Sequence, residues 1–113
     1  MAIYMDHAAT TPITDIALAE FNKQLRAIGN PSSLHTYGRE TRRALEEARE
    51  KIAEFINCQP SEIIFTASGT EADNLAIKGL YWKSGKKVIV ISEFEHKAVL
   101  EPAEWLVEKE GAE

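Results

Sequence analysis

Two short apolar runs constrain this chain most. They are Ile63-Ile64-Phe65 and Val88-Ile89-Val90-Ile91. Between them, Leu75, Ala76, Ile77, Leu80 and Tyr81 recur at helical spacing. Short runs rich in β-branched and aromatic residues read as buried strands, here over 61–66 and 88–91. Glu93–Leu100 reads as a loop. Pro102 suits a first helical position and Gly111 a helix end, which predicts a last helix over about 102–110. The order strand, helix, strand, helix predicts an α/β fold with a parallel sheet. Two strands seldom make an independent sheet, because three or more are normally needed. The sheet is therefore expected to be incomplete in this chain. Either the residues belong to a larger α/β protein, or a partner chain supplies the missing strands.

Two helices are expected upstream. Over 14–27, Thr14 can cap, and Ile16, Leu18, Ala19, Phe21, Leu25 and Ile28 form a broad apolar stripe. Over about 34–56, Tyr37, Thr41, Ala44, Leu45, Ala48, Ile52, Phe55 and Ile56 recur at three- and four-residue steps. Arg43–Glu47 and Glu47–Lys51 pair along the polar face. Gly29-Asn30-Pro31-Ser32-Ser33 carries turn chemistry, and Asn57-Cys58-Gln59-Pro60 ends the second helix. Ile3–Met5 reads as an extended segment and Asp6–Pro12 as a loop.

At 113 residues the chain is expected to hold one domain at most. Hydrophobic residues at 44% and charged residues at 27% exclude a disordered tail, a collagen-like fibre and a coiled coil. No apolar run approaches the ~20 residues of a membrane span, so no membrane partner is expected. A net charge of -5 argues against nucleic acid, which needs basic patches to neutralise phosphates. The single cysteine, Cys58, cannot form an internal disulfide. Together with the lack of a signal-peptide pattern at Met1, that predicts a cytoplasmic location.

The turn after the first apolar run carries the strongest chemical signal. Ser68 and Glu71 have capping-box spacing. Gly69 permits close approach to the backbone, and free amides at the positive end of a helix attract anions. A phosphate could rest on Gly69 and Thr70, with the Thr70 hydroxyl as a further donor. A capped helix without ligand explains the same pattern. His96 follows the second apolar run, where open α/β sheets receive ligands. Its imidazole could stack on a flat ring or move a proton, or serve as an ordinary surface residue. The histidines His7, His35 and His96 and the thiol of Cys58 lack metal-ligand spacing, so no metal is expected. No GxxxxGK[ST] or GxGxxG loop is present.

In order, these segments resemble the N-terminal part of cysteine desulfurases of the NifS/IscS type, in the class V aminotransferase group of pyridoxal-phosphate enzymes. The resemblance is carried by Tyr4-Met5-Asp6-His7-Ala8-Ala9-Thr10-Thr11-Pro12, by Gly29-Asn30-Pro31-Ser32-Ser33-Leu34-His35-Thr36-Tyr37-Gly38-Arg39, by Glu62–Thr66 running into Ser68-Gly69-Thr70-Glu71-Ala72-Asp73-Asn74, and by Glu95-His96-Lys97-Ala98-Val99-Leu100. It implies the N-terminal part of a type I pyridoxal-phosphate transferase fold, with βαβ units preceded by two helices. Residues 1–13 would associate with a small domain, and 14–113 would begin the large cofactor-binding domain.

The resemblance further implies pyridoxal 5′-phosphate as cofactor, held by Gly69 and Thr70 at its phosphate and by His96 against its ring. His96 would also act in catalysis. The implied reaction removes sulfur from L-cysteine, giving L-alanine and an enzyme-bound persulfide for iron–sulfur cluster or thio-cofactor synthesis. A homodimer and a sulfur-acceptor protein are the implied partners. The family's Schiff-base lysine, its pyridine-pairing Asp, its substrate-binding Arg and its sulfur-accepting cysteine fall at positions downstream of Glu113. Lys97 and Cys58 are not those residues. The 113 residues alone are therefore expected to show negligible desulfurase activity. A selenocysteine lyase, another class V aminotransferase, or a non-catalytic split chain are the alternative readings.

Overall fold

The computed structural model describes residues 3–113, so Met1 and Ala2 of the expected N-terminal segment lie outside the described residues. It contains four α-helices: α1 (Asp15–Gln24), α2 (Thr36–Ile56), α3 (Gly69–Ser84) and α4 (Lys97–Glu110). A 3-10 turn at Pro60–Glu62 follows α2. The chain divides into two compact units, Met1–Ile63 and Ile64–Glu113.

In the N-terminal unit, Thr14 caps α1 as expected, its hydroxyl accepting from the Ala17 amide at 3.3 Å. The helix is shorter than the apolar stripe suggested. Its last bonds give way to turns at Arg26 and Ala27. α2 starts at Thr36, and its cap is His35, whose Nδ1 accepts from the Gly38 amide at 3.3 Å. Sequence patterns did not mark this cap, because histidine is not among the usual capping residues. A cap of this kind is worth about 1 kcal/mol. His35→Ala should lower stability by about that amount and His35→Asn should restore it, as read from urea unfolding midpoints.

The Gly29–Ser33 loop folds tightly onto the start of α2. Asn30 Oδ1 accepts from Ser32 N at 2.8 Å, and Asn30 O accepts from Ser33 N at 2.9 Å. A Cβ on Gly38 would lie 2.5 Å from Ser33 O and 2.7 Å from Asn30 O. Asn57 ends α2 in the left-handed region at φ 57°, a conformation that Asn tolerates better than most residues. Beyond it, Gln59 and Glu62 close a capping box around the 3-10 turn, with Gln59 N donating to Glu62 Oε2 at 2.7 Å. Arg49, half-buried on α2 and paired with Glu46 at 3.3 Å, donates to Ile63 O and ties the turn back to the helix.

In the C-terminal unit, α3 and α4 pack side by side around Leu106, Tyr81 and Ala112, with Ile77 and Ile89 against them. Leu106 is wholly buried at 0% exposure. Tyr81 donates its hydroxyl to Glu110 O at 3.2 Å, and Lys87 Nζ donates to that hydroxyl at 3.1 Å. The Lys78 ammonium stands 4.5 Å from the Trp105 ring centre, a cation–π contact. Residues late in α3 thus meet residues late in α4, rising together along both helices. The helices run parallel, and both start at the same end of the unit.

The structure corrects three sequence expectations. The predicted strands 61–66 and 88–91 are not strands among the described residues. Ser61 and Glu62 sit in the 3-10 turn, and 63–66 and 86–92 are neither helical nor joined in a ladder. A strand is defined by its neighbours' hydrogen bonds, and the α/β sheet is therefore absent as such. One pairing is made. Ile89 N donates to Glu113 O and Glu113 N donates to Lys87 O, each at 2.8 Å. That slanted exchange about Val88 is the parallel pattern. The third correction concerns α4. Its start is Lys97, capped by His96, and not Pro102, so 97–100 is helical and not loop. Pro102 is buried inside α4. It forfeits one amide bond near the helix start, and its ring is kept out of water. Gly111 ends the helix at φ 68°, where glycine carries no Cβ penalty.

Candidate functional site

The three residues singled out from sequence all fall in the C-terminal unit, at the end where α3 and α4 begin. Each helix starts from a cap residue with extended backbone, Ser68 at φ -158° and ψ 163° and His96 at φ -63° and ψ 151°. Ser68 is the α3 cap, and its hydroxyl accepts from Glu71 N at 3.2 Å. The Glu71 carboxylate reaches back one residue further than a standard capping box, accepting from Ala67 N at 2.7 Å. Ala72 N donates to Ser68 O at 3.1 Å. Gly69 and Thr70 are the first two residues of α3, and their amides have no acceptor within the helix. Both residues are exposed, and a Cβ on Gly69 would meet no atom within 4 Å. Asn74 Nδ2 donates to Thr70 O at 3.0 Å, which secures the turn from behind.

His96 is exposed, and its role in the fold is to cap α4. Nδ1 accepts from Ala98 N at 3.1 Å, while His96 O accepts from Val99 N at 2.8 Å and from Leu100 N at 3.2 Å. Phe94, two residues earlier, is 95% exposed at the same helix start. Ser92 Oγ accepts from Phe94 N at 3.2 Å and fixes the approach.

The other residues weighed from sequence lie elsewhere. Cys58 is half-buried at the exit of α2, with Sγ 3.5 Å from Gln59 O. His35 caps α2, and His7 packs edge-on against Tyr4 with ring centres 5.0 Å apart. No group of three or more His, Cys, Asp or Glu among the described residues is placed to hold a metal. No helix among them is long and apolar enough to cross a membrane. An open groove of about 680 Å³ lies in the N-terminal unit, where Pro31, Ala44 and Leu45 line it together with Glu20. The Glu20 carboxyl is held below its ordinary value by the Gln24 amide, then by Lys23. None of Gly69, Thr70 or His96 borders that groove.

The starts of α3 and α4 both lie in the C-terminal unit, and the first amides of each helix have no carbonyl acceptor within it. The chain belongs to the aminotransferase class-V family, whose sequence model matches residues 3–113. It is 54% identical over 114 residues to an IscS-like cysteine desulfurase of Mycobacterium tuberculosis, a match covering 96% of this chain and 29% of that protein. It is 50% identical over 114 residues to cysteine desulfurase IscS of Dictyoglomus turgidum, covering 98% of this chain and 29% of that protein. Among solved structures, a NifS-like protein superposes with a TM-score of 0.88 at 39% identity, covering 96% of this chain and 31% of that one. The chain thus spans about 29% of the length of the curated relatives it matches. Over that span it has the fold of the NifS-like protein.

Proposed function

We propose that these residues form the N-terminal segment of a pyridoxal-phosphate-dependent cysteine desulfurase. Such an enzyme takes sulfur from L-cysteine, leaving L-alanine and a persulfide on a protein cysteine, for iron–sulfur cluster or thio-cofactor synthesis. The observation that carries the reading is the start of α3. It offers two unshared amides and a hydroxyl at Gly69 and Thr70, with no side chain in the way. Family membership and the desulfurase names of the relatives point to the same cofactor.

The donor set suits the phosphate of pyridoxal 5′-phosphate. Ser68 and Glu71 already spend their polar atoms on the cap, so the Gly69 and Thr70 donors remain for the ligand. The helix dipole adds favourable charge there. When bound, the cofactor supplies the electron sink. Gly69 and Thr70 anchor its phosphate, and His96, at the same end of the unit, faces its ring. In this reading residues 1–13 associate with the small domain and 14–113 begin the large one. The whole enzyme is a cytoplasmic homodimer that hands sulfur to an acceptor protein.

Thr70→Ala in the whole enzyme tests the assignment. A hydrogen bond to a charged group is worth about 1.5–3 kcal/mol, so loss of the hydroxyl should weaken cofactor affinity roughly 10- to 100-fold. Absorbance titration of the apoenzyme with pyridoxal phosphate measures it. Unchanged affinity would remove Thr70 from the phosphate site.

A further inference from the structure

The bond between His96 and α4 has a chemical consequence for the ring. A backbone amide can only donate. Because Ala98 N points at Nδ1 from 3.1 Å, Nδ1 must present its lone pair. A neutral imidazole carries one proton, which then resides on Nε2. His96 is exposed, and its Nε2 has no hydrogen-bond partner among the described residues. We infer that the Ala98 amide locks His96 as the Nε2–H tautomer, so that the atom this ring turns outward is a hydrogen-bond donor.

The inference rests on the cofactor reading only for what lies opposite Nε2. If that reading holds, the ligand atom meeting Nε2 is an acceptor, such as a phenolic or carboxylate oxygen of cofactor or substrate. Acting as a base at Nε2 would require the ring to shift its proton to Nδ1 and release Ala98. The Ala98 amide is then a positioning group. It fixes the ring's orientation and its proton, and forms part of the helix start at the same time. Histidine does here what Ser68 does on α3, but a serine cap has no second edge to offer a ligand. His35 caps α2 in the same manner through Gly38 N. It serves as an internal comparison, because no predicted cofactor role attaches to it.

The test is nitrogen and carbon NMR of the intact protein labelled at histidine, followed to the alkaline end of a pH series where the ring shifts stop changing. His96 should show the shifts of a single Nε2–H tautomer, with a scalar coupling from the Ala98 amide into Nδ1. His35 should show the same through Gly38. Shifts for His96 that average between tautomers, or an Nδ1–H form, would overturn the inference. Ala98→Pro removes the donor at a first-turn position where proline is tolerated, and should return His96 to averaged tautomers. A pure Nε2–H form in that variant would show that something other than Ala98 sets the proton. None of these readouts needs cofactor. A locked tautomer in a protein that fails to bind pyridoxal phosphate would sink the functional proposal and leave this one standing.

Discussion

Leu106→Ala should destabilise the C-terminal unit by about 2–5 kcal/mol, the range for a Leu→Ala truncation in a packed core. Leu106 is the largest side chain with no exposure, and it joins Tyr81, Ala112, Ile77 and Ile89. Little else in the unit is available to fill the space. The buried residues on α4 besides it are Ala98, Pro102 and Ala103, all small. The neighbouring Val107, 53% exposed, provides the comparison, and Val107→Ala should cost less than about 1 kcal/mol. Trp105 adjoins Leu106 and carries the Lys78 ammonium over its ring, so its fluorescence, read in a Trp82→Phe background, reports the loss. Equal unfolding midpoints for the two variants would show that Leu106 does not hold α3 and α4 together.

The second large effect is expected at Gly38. Helix propensity alone would favour Gly38→Ala by about 1 kcal/mol. Sterics reverse the sign. The new Cβ would meet two backbone carbonyls, Ser33 O at 2.5 Å and Asn30 O at 2.7 Å, and neither can swing aside as a side chain could. The Asn30–Ser33 turn would have to open, and the His35 cap at Gly38 N would be displaced with it. A net loss of about 2–3 kcal/mol is expected, the upper part of the usual overpacking range. Gly79→Ala in α3 is the matched control, because a Cβ there meets nothing within 4 Å. That substitution should be neutral or stabilising by up to about 1 kcal/mol. Urea unfolding of both variants separates propensity from clash. Parallel behaviour of the two would discard the steric account of the 29–38 loop.

The Gly29–Arg39 segment is among those that carry the family likeness, and its glycines are held by close backbone approach. A Cβ on Gly29 would collide with Tyr37 O. The loop therefore has a definite shape fastened to the start of α2. By contrast, Gly69 is open, with no neighbour to exclude a side chain. Packing explains the first two glycines. At Gly69 no packing contact requires a glycine.

Much of the local structure was legible in the sequence. The Thr14 and Ser68 caps, the left-handed Gly111 and the end of α2 at Asn57 all follow from residues whose side chains act on backbone within a few positions. So did the start of α3 with its two free amides. Where the expectations failed, the deciding partner was distant or of an unusual type. Pro102 reads as a helix start because proline usually belongs there, but His96 caps the helix more than a turn earlier. The predicted strands had the right composition, yet strand formation depends on a neighbour that local pattern cannot supply.

Sequence by itself determined the four helices, the family to which the chain belongs, and the pairing of a glycine and a threonine at a helix start. These depend on short-range periodicity, capping and motif order, all written within a few residues of one another. Tertiary structure alone decided that α3 and α4 run in parallel with their starts at one end, and that Glu113 returns beside Val88. Each of these joins atoms whose approach depends on how backbone segments pack in space, and no local spacing rule encodes that approach.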